Sequence, residues 1–166
     1  MHEKSIDILN KAVADELAAV HQYMYFHFHL DDQGYDLLSA LFRRTAIQEM
    51  THIELLAERI LFLKGEVMMK ASAEVTLTQD VAGMLEMSRM MEENSARYYN
   101  QWANECSANN DSVSRKIFEQ LVAEEEAHYA QFDHELDKVQ QFGESYLALQ
   151  SLPRSQNLSS GTVVAE

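Results

Sequence analysis

Proline and glycine are scarce in this sequence, which has one proline, Pro153, and five glycines in 166 residues. Proline removes a backbone donor and breaks helices, and glycine weakens them. Their scarcity therefore predicts long helices joined by few turns. Hydrophobic residues make up 46% of the chain, which is enough for a substantial core in a single domain.

Cysteine is almost absent, since Cys106 is the only one. An internal disulfide is excluded, and so is the pair of CxxC motifs that a rubredoxin-type iron site needs. The N-terminal MHEKSIDILNK lacks the apolar core of a signal peptide, and no run reaches the ~20 apolar residues of a membrane span. A single free thiol fits a reducing compartment, so we expect a cytoplasmic protein that does not use a membrane.

Basic residues are outnumbered: 13 Lys and Arg stand against 27 Asp and Glu, for a formal net charge of −14. A surface of this charge repels phosphate backbones, so a nucleic-acid partner is not expected. The same charge suits a protein that attracts cations, although solubility alone would also account for it.

Four long segments carry apolar residues at steps of three and four, as amphipathic helices do. They predict helices from about Ser5 to Asp31, from Tyr35 to Lys64, from near Asp80 to Cys106, and from near Ser112 to Gln141. A short fifth helix is predicted over 144–152. We expect residues 1–152 to form one domain and residues 153–166 to be a flexible tail.

The connections between these helices predict the topology. A short turn after Asp31 makes the first two helices antiparallel neighbours. The link Glu66–Gln79 lacks helical periodicity, and about fourteen extended residues reach roughly 46–50 Å. Because a helix of roughly 28 residues is about 42 Å long, this link can return along the whole bundle. The chain is therefore predicted to be all-α, a ferritin-like four-helix bundle with a long crossover between helices two and three.

Two copies of a Glu-x-x-His motif stand on alternate helices: Glu49 with His52 on the second, and Glu125 with His128 on the fourth. Residues three apart share a helix face, so each motif can present a carboxylate and an imidazole to one point. The other helices supply single glutamates, Glu16 on the first and either Glu92 or Glu93 on the third.

Apolar residues in the same register place these side chains inside the bundle. Buried carboxylates without partners are costly, so four of them on inward faces require cations between them. Oxygen and imidazole ligands predict two metal ions with open positions for oxygen or peroxide. One such motif on a charged helix is ordinary surface, whereas two on the correct helices with matching glutamates predict a dinuclear site.

At these residues the chain resembles the bacterioferritins, the haem-containing ferritin family, over nearly all of Ser5–Leu152. The resemblance rests on ADELAAVHQYMYFH, IQEMTHIELLAERILFLKGE, DVAGMLEM…MEEN and AEEEAHYAQFDHEL. It implies a ferroxidase centre with the ligands Glu16, Glu49, His52, Glu92, Glu125 and His128. Glu49 and Glu125 would bridge two irons, with Glu16 and His52 completing one position and Glu92 and His128 the other. Tyr23 matches the family's tyrosine beside the centre.

Met50 is also implicated by the resemblance. Adjacent helical residues point about 100° apart, so Met50 faces away from the centre that Glu49 helps to build. In bacterioferritins a methionine here ligates haem iron from each of two subunits across a two-fold axis. The inner-surface iron site of some bacterioferritins, by contrast, would need a histidine and an aspartate where this sequence has Arg44 and Gln48.

The expected function follows from the site and the resemblance. A subunit of this kind oxidises ferrous iron with oxygen or peroxide and stores ferric mineral in a shell of 24 subunits built from two-fold dimers. Haem at Met50, with an external donor such as a ferredoxin, would supply electrons for release. The alternatives are a rubrerythrin-like di-iron peroxidase, a haem-free ferritin, a DNA-protecting mini-ferritin, which the acidic chain disfavours, and a purely structural bundle.

Overall fold

The computed structural model describes residues 2–160, and over that range the regular structure is all α-helical, with no β-strand. Six helices follow one another: α1 (Glu3–Asp32), α2 (Asp36–Phe62), α3 (Val81–Ala108), α4 (Ser112–Phe142), α5 (Glu144–Gln150) and α6 (Leu152–Ser160). The long helices form one bundle, in which α1 packs mainly on α2 and α3 mainly on α4. The prediction of an all-α four-helix bundle with a short fifth helix is confirmed.

Aspartate side chains fix where α3 and α4 begin. The Asp80 carboxylate accepts a hydrogen bond from the Gly83 N–H at 2.8 Å, and Asp111 accepts one from the Ser114 N–H at 3.1 Å. These bonds satisfy backbone donors that the first helical turn leaves free. Between α1 and α2, Gly34 has φ of 82°, a conformation that only glycine adopts readily.

The crossover, residues 63–80, runs along α1 from its N-terminal end towards its C-terminal end. Near the start of α1 the Asn10 side chain accepts a hydrogen bond from the Met68 N–H at 2.8 Å. Farther along, Gln22 accepts one from the Thr76 N–H, also at 2.8 Å. The crossover therefore returns the chain to the end at which α2 began, which makes α2 and α3 parallel, as predicted.

Two apolar clusters fill the bundle, one on each side of its middle. The first contains Leu9, Val13, Leu56, Trp102 and Phe118 among others, and the second contains Ala19, Phe26, Phe42, Met84 and Phe132 among others. On α1, Glu16 lies between the last residue of the first cluster and the first residue of the second. Polar side chains at the middle of the bundle are therefore shielded from water on both sides.

The chain after residue 152 differs from the predicted flexible tail, because helix α6 covers Leu152–Ser160. No helix was predicted after Leu152, but proline is tolerated in the first turn of a helix, and Pro153 stands there in α6. Arg154 in the same turn pairs with Asp31 and, at 2.9 Å, with Asp36, which ties α6 to the α1–α2 turn. The rest of the predicted tail, 161–166, lies outside the described residues.

Gln22 provides a test of how firmly the crossover is held. It is 2% exposed, and besides accepting from Thr76 its Nε2 donates to the Thr76 carbonyl at 3.0 Å. Gln22→Ala removes both bonds, so the free energy of unfolding should fall by about 1–3 kcal/mol. Hydrogen exchange of the Thr76 amide should become faster.

The matched control for this prediction is Gln33→Ala, since the exposed Gln33 side chain also donates to a crossover carbonyl, that of Gln79, at 3.1 Å. This change should alter stability by less than about 0.5 kcal/mol. An unchanged exchange rate at Thr76 in Gln22→Ala would show that the crossover is held by other contacts.

Within residues 2–160, no helix combines the length and apolarity that crossing a membrane requires.

Candidate metal centre

The four long helices each direct carboxylate or imidazole groups into the middle of the bundle. All six side chains that the sequence singled out as ligands are 3% exposed or less: Glu16, Glu49, His52, Glu92, Glu125 and His128. Of the two neighbouring glutamates on α3, Glu92 is buried and Glu93 is exposed, so the structure selects Glu92.

These side chains form two overlapping groups, each with potential ligand atoms within 4.8 Å of one another. One group consists of Glu16, Glu49, His52 and Glu125, and the other of Glu49, Glu92, Glu125 and His128. Glu49 and Glu125 belong to both. Two carboxylates shared between two groups are the arrangement that a dinuclear metal site needs.

The shared carboxylates offer one oxygen to each histidine. Glu49 Oε2 lies 2.9 Å from His52 Nδ1, and its Oε1 lies 3.1 Å from His128 Nδ1. Glu125 does the same in reverse, with Oε1 at 3.1 Å from His52 Nδ1 and Oε2 at 3.5 Å from His128 Nδ1. Both carboxylates therefore span the space between the two rings.

The two glutamates that are not shared, Glu16 and Glu92, each lie near one histidine. Glu16 Oε1 lies 3.2 Å from His52 Nδ1, and Glu92 Oε2 lies 3.8 Å from His128 Nδ1. The structure therefore places Glu16 next to His52 and Glu92 next to His128, the pairs that the family resemblance implied.

Burial and charge leave these groups strongly perturbed. Burial, reinforced by the charges of Glu49 and Glu125, raises the pKa of both Glu16 and Glu92 well above the usual range. Burial disfavours a charged histidine, but contacts with Glu125, Glu49 and Glu92 outweigh it and raise the pKa of His128 to about 12. Contacts with the carboxylates likewise raise the pKa of His52 far above its usual range.

The donor set fits divalent iron. Both oxygens of Glu49, Oε1 of Glu125 and Nδ1 of His128 are buried without a well-formed hydrogen bond. Buried polar atoms without partners are rare in folded proteins and cost free energy, so their convergence on one point favours a bound cation. Carboxylate oxygen and imidazole nitrogen are ligands that iron accepts.

A tyrosine donates to each unshared glutamate. The Tyr23 hydroxyl donates to Glu92 Oε1 and the Tyr99 hydroxyl donates to Glu16 Oε1, the latter at 2.6 Å. Tyr23 was predicted to lie beside the centre, and it does. Tyr99 was not among the predicted site residues, yet the sequence contains a signal for it, since each tyrosine follows a glutamate of the centre by seven residues.

Glu124 was also missed. It was not among the predicted site residues, but its Oε2 accepts a hydrogen bond from His52 Nε2 at 2.8 Å. The neighbouring Glu126 is exposed. Nothing in the spacing distinguishes the two glutamates, because the contact depends on the position of α2 relative to α4.

A cavity of about 250 Å³ reaches the centre from the side where α1, α3 and the crossover meet. All four ligand glutamates line it, together with Asp15, Ser72, Glu74, Thr76 and Tyr98 among others. A metal ion or a small oxidant can therefore reach the shared carboxylates, while the two apolar clusters shield the centre on either side along the bundle.

Met50 lies on a different face of α2 from Glu49 and points away from the centre, as the helical geometry predicted. Its side chain is 49% exposed, whereas Glu49 is fully buried. The thioether therefore takes no part in the carboxylate centre and is available on the outer surface of the bundle. Arg44 and Gln48, at the positions of the family's inner-surface iron site, are exposed and add no further acidic or histidine ligand.

Comparison with known proteins gives consistent results. The family described as the Ferritin-like domain matches residues 6–142. A bacterioferritin of Desulfovibrio desulfuricans is 37% identical over 145 residues, which cover 87% of this chain and 81% of that protein. A bacterioferritin of Brucella melitensis is 33% identical over 141 residues, covering 85% of this chain and 88% of its own.

Solved structures agree with the sequence comparisons. The X-ray structure of the Desulfovibrio desulfuricans bacterioferritin superimposes with a TM-score of 0.88 at 34% identity, and the match covers 98% of this chain and 92% of that one. That work describes the diiron site of the protein in different catalytic states.

Proposed function

Since this chain belongs to the bacterioferritin family of ferritin-like proteins, we propose that it oxidises Fe(II) at the six-residue centre and stores the product as Fe(III). Family membership and the paired carboxylate and histidine groups support a role in iron storage. The observation that carries the finer proposal is the placing of Glu49 and Glu125, each with one oxygen towards either histidine.

Two ferrous ions per subunit are the substrate in this proposal. Glu16 and His52 hold one, Glu92 and His128 hold the other, and the shared carboxylates keep both close enough to meet a single oxidant. Each ion gives up one electron, and oxygen takes two electrons and two protons to become hydrogen peroxide. The negative charge of the carboxylates favours the ferric product, because it interacts more strongly with the higher charge.

Storage requires a closed shell, and we extend the proposal to a homo-oligomer of 24 subunits built from two-fold dimers. Large apolar side chains on the outside of the described bundle support this, among them Phe28, Leu61, Phe62, Met69 and Leu77, which are all more than half exposed. Apolar patches on a subunit surface commonly mark interfaces. We place the assembly in the cytoplasm, where the lone thiol of Cys106 remains reduced.

Haem shared by two subunits is the second part of the proposal. Met50 would supply the axial thioether from each side of a two-fold axis, and its exposure leaves the sulfur free to meet a second copy. A thioether is a soft ligand that favours reduced iron, so such a haem would supply electron transfer. An external donor such as a ferredoxin would reduce it when stored iron is released.

An absorption spectrum recorded during ferrous titration in air tests the proposal. The protein is expressed with haem available, and wild type is compared with Met50→Leu. We expect a haem Soret band that is lost in Met50→Leu, and ferric absorbance that rises at the same rate in both proteins.

Other outcomes would change the assignment. Ferric absorbance without a haem band in wild type would leave a haem-free ferritin. Rapid turnover with peroxide and a reductant, without accumulation of ferric mineral, would favour a rubrerythrin-like peroxidase. The absence of both signals would contradict the six-ligand assignment itself.

A further inference from the structure

The two metal positions are built from one repeated pattern. In the α1–α2 hairpin, Glu16 is followed seven residues later by a tyrosine, and the next helix carries Glu-x-x-His. The α3–α4 hairpin repeats this with Glu92, its own tyrosine and a second Glu-x-x-His. Each tyrosine donates to the glutamate of the other hairpin. The two positions should therefore bind metal alike unless the pattern is broken.

The pattern is broken at the residue just before each shared glutamate. On α4 this residue is Glu124, whereas on α2 it is the uncharged Gln48. Glu124 crosses to the other hairpin and accepts a hydrogen bond from His52 Nε2 at 2.8 Å. Its second oxygen accepts from Gln120 Nε2, also at 2.8 Å, which holds the carboxylate in place.

Within the described part of the chain, His128 has no carboxylate placed as Glu124 is placed at His52. Among residues 2–160, the carboxylates within ion-pair distance of its ring are those of Glu49, Glu92 and Glu125, and each is nearest to Nδ1. Around Nε2, on the other edge of the ring, residues 2–160 therefore place no carboxylate within ion-pair distance, and Gln48 could offer only a neutral amide.

A carboxylate on the outer nitrogen of a metal-binding histidine has a known physical effect. It fixes the ring orientation and the tautomer, and it makes the other nitrogen a stronger ligand, so that its loss costs about tenfold to a hundredfold in metal affinity. For His52 the outer nitrogen is Nε2, which leaves Nδ1 facing the centre.

We propose that Glu124 is a positioning residue that makes the Glu16–His52 position the tighter of the two and the first to fill, an inference that rests on the proposed dinuclear site. A surface ion pair that serves stability alone is the alternative. This alternative is disfavoured because His52 is only 2% exposed, so the contact from Glu124 on α4 to His52 on α2 is made to a buried ring.

Anaerobic titration of the metal-stripped assembly with Co²⁺, followed by visible absorption, separates these explanations. Wild type should show two steps per subunit of unequal affinity. Glu124→Ala should weaken the tighter step by about tenfold to a hundredfold and leave the other unchanged. Glu124→Gln should lose less, since an amide oxygen still accepts the hydrogen bond. Glu126→Gln, an exposed neighbour on the same turn, is the matched control and should match wild type.

The reciprocal variant tests the same idea by gain. Gln48→Glu should tighten the weaker step, and the double exchange Gln48→Glu with Glu124→Gln should make the Glu92–His128 position fill first. Variants of the unshared ligands assign each step to a position. Glu124→Ala should weaken Co²⁺ binding in a Glu92→Gln background, which keeps the Glu16–His52 position, and should have no effect on Co²⁺ binding in a Glu16→Gln background.

The outcomes separate this inference from the proposed function. Two Co²⁺ steps that respond identically in Glu124→Ala and the Glu126 control would overturn the role of Glu124 and leave the dinuclear site standing. A wild-type assembly that binds no Co²⁺ at the centre would contradict the dinuclear site and the inference together.

Discussion

Glu49→Gln should remove both metal positions at once and lower the rate of Fe(II) oxidation by more than about a hundredfold. Mutation of a residue that only hydrogen-bonds to a metal ligand lowers metal affinity or activity by about tenfold to a hundredfold. Mutation of a ligand shared by both metals should lower them further. Glu49 is completely buried and belongs to both groups, with one oxygen near each histidine. Metal content after dialysis and stopped-flow absorbance at the ferric band measure the two effects.

Two further variants sharpen this prediction. Glu16→Gln alters a carboxylate of one group only, so one metal per subunit should remain bound. Glu54→Gln, at an exposed position on α2, should bind and oxidise iron as wild type does. If Glu49→Gln retained a full complement of metal, the shared role of this carboxylate would be wrong.

Asp111→Asn should lower the free energy of unfolding by about 3–5 kcal/mol, the range found when one partner of a buried ion pair is removed. Asp111 is 2% exposed and its Oδ1 lies 2.6 Å from Arg59 Nη2. Asparagine still caps α4, so the loss isolates the charge. At about 2–4 °C per kcal/mol for a domain of this size, calorimetry on the assembled protein should show Tm falling by about 10 °C.

Asp80→Asn is the matched control, since Asp80 caps α3 in the same way but is exposed. Its Tm should change by no more than about 1–2 °C, because asparagine caps as well as aspartate and no buried pair is broken. Equal effects at the two caps would show that the Arg59 ion pair contributes nothing to stability.

Acid should remove the advantage of the Asp111 carboxylate. Although burial opposes its charge, hydrogen bonds from Ser114 and Arg59 lower the pKa of Asp111 to about 2, from an ordinary 3.8. A lowered pKa in the folded state contributes stability above the unfolded value, and this contribution is lost as pH falls through the folded value. The Tm difference between wild type and Asp111→Asn should therefore be constant above pH 5 and shrink from pH 4 towards pH 2.

The part of the structure that the sequence predicted is the part determined by local periodicity. Glu49 and His52 must share a helix face because they are three residues apart, and apolar neighbours in the same register make that face the inner one. The starts of α3 and α4 were predictable for a similar reason, because Asp80 and Asp111 act on backbone groups of their own helix. The roles of the six candidate ligands in binding iron stay predictions.

The features that were missed depend on contacts between elements. Glu124 and Glu126 have the same chemistry on the same turn, and only the approach of α2 distinguishes the one that reaches His52. The role of Tyr99 could be recognised only by comparing the α3–α4 hairpin with the α1–α2 hairpin, in which Tyr23 stands at the same spacing from its glutamate. Helix α6 was missed because Pro153 marks the first turn of a helix as readily as it follows the end of one.

The repeated hairpin pattern gives the protein an internal reference for experiments. A substitution at a site residue of the α1–α2 hairpin has a counterpart at the equivalent residue of the α3–α4 hairpin. Tyr23→Phe and Tyr99→Phe are one such pair, since each tyrosine donates to the glutamate of the other hairpin. Effects common to both members report on the shared carboxylates and the cluster as a whole. Differences between them isolate what Glu124 and Gln48 add to otherwise duplicate positions.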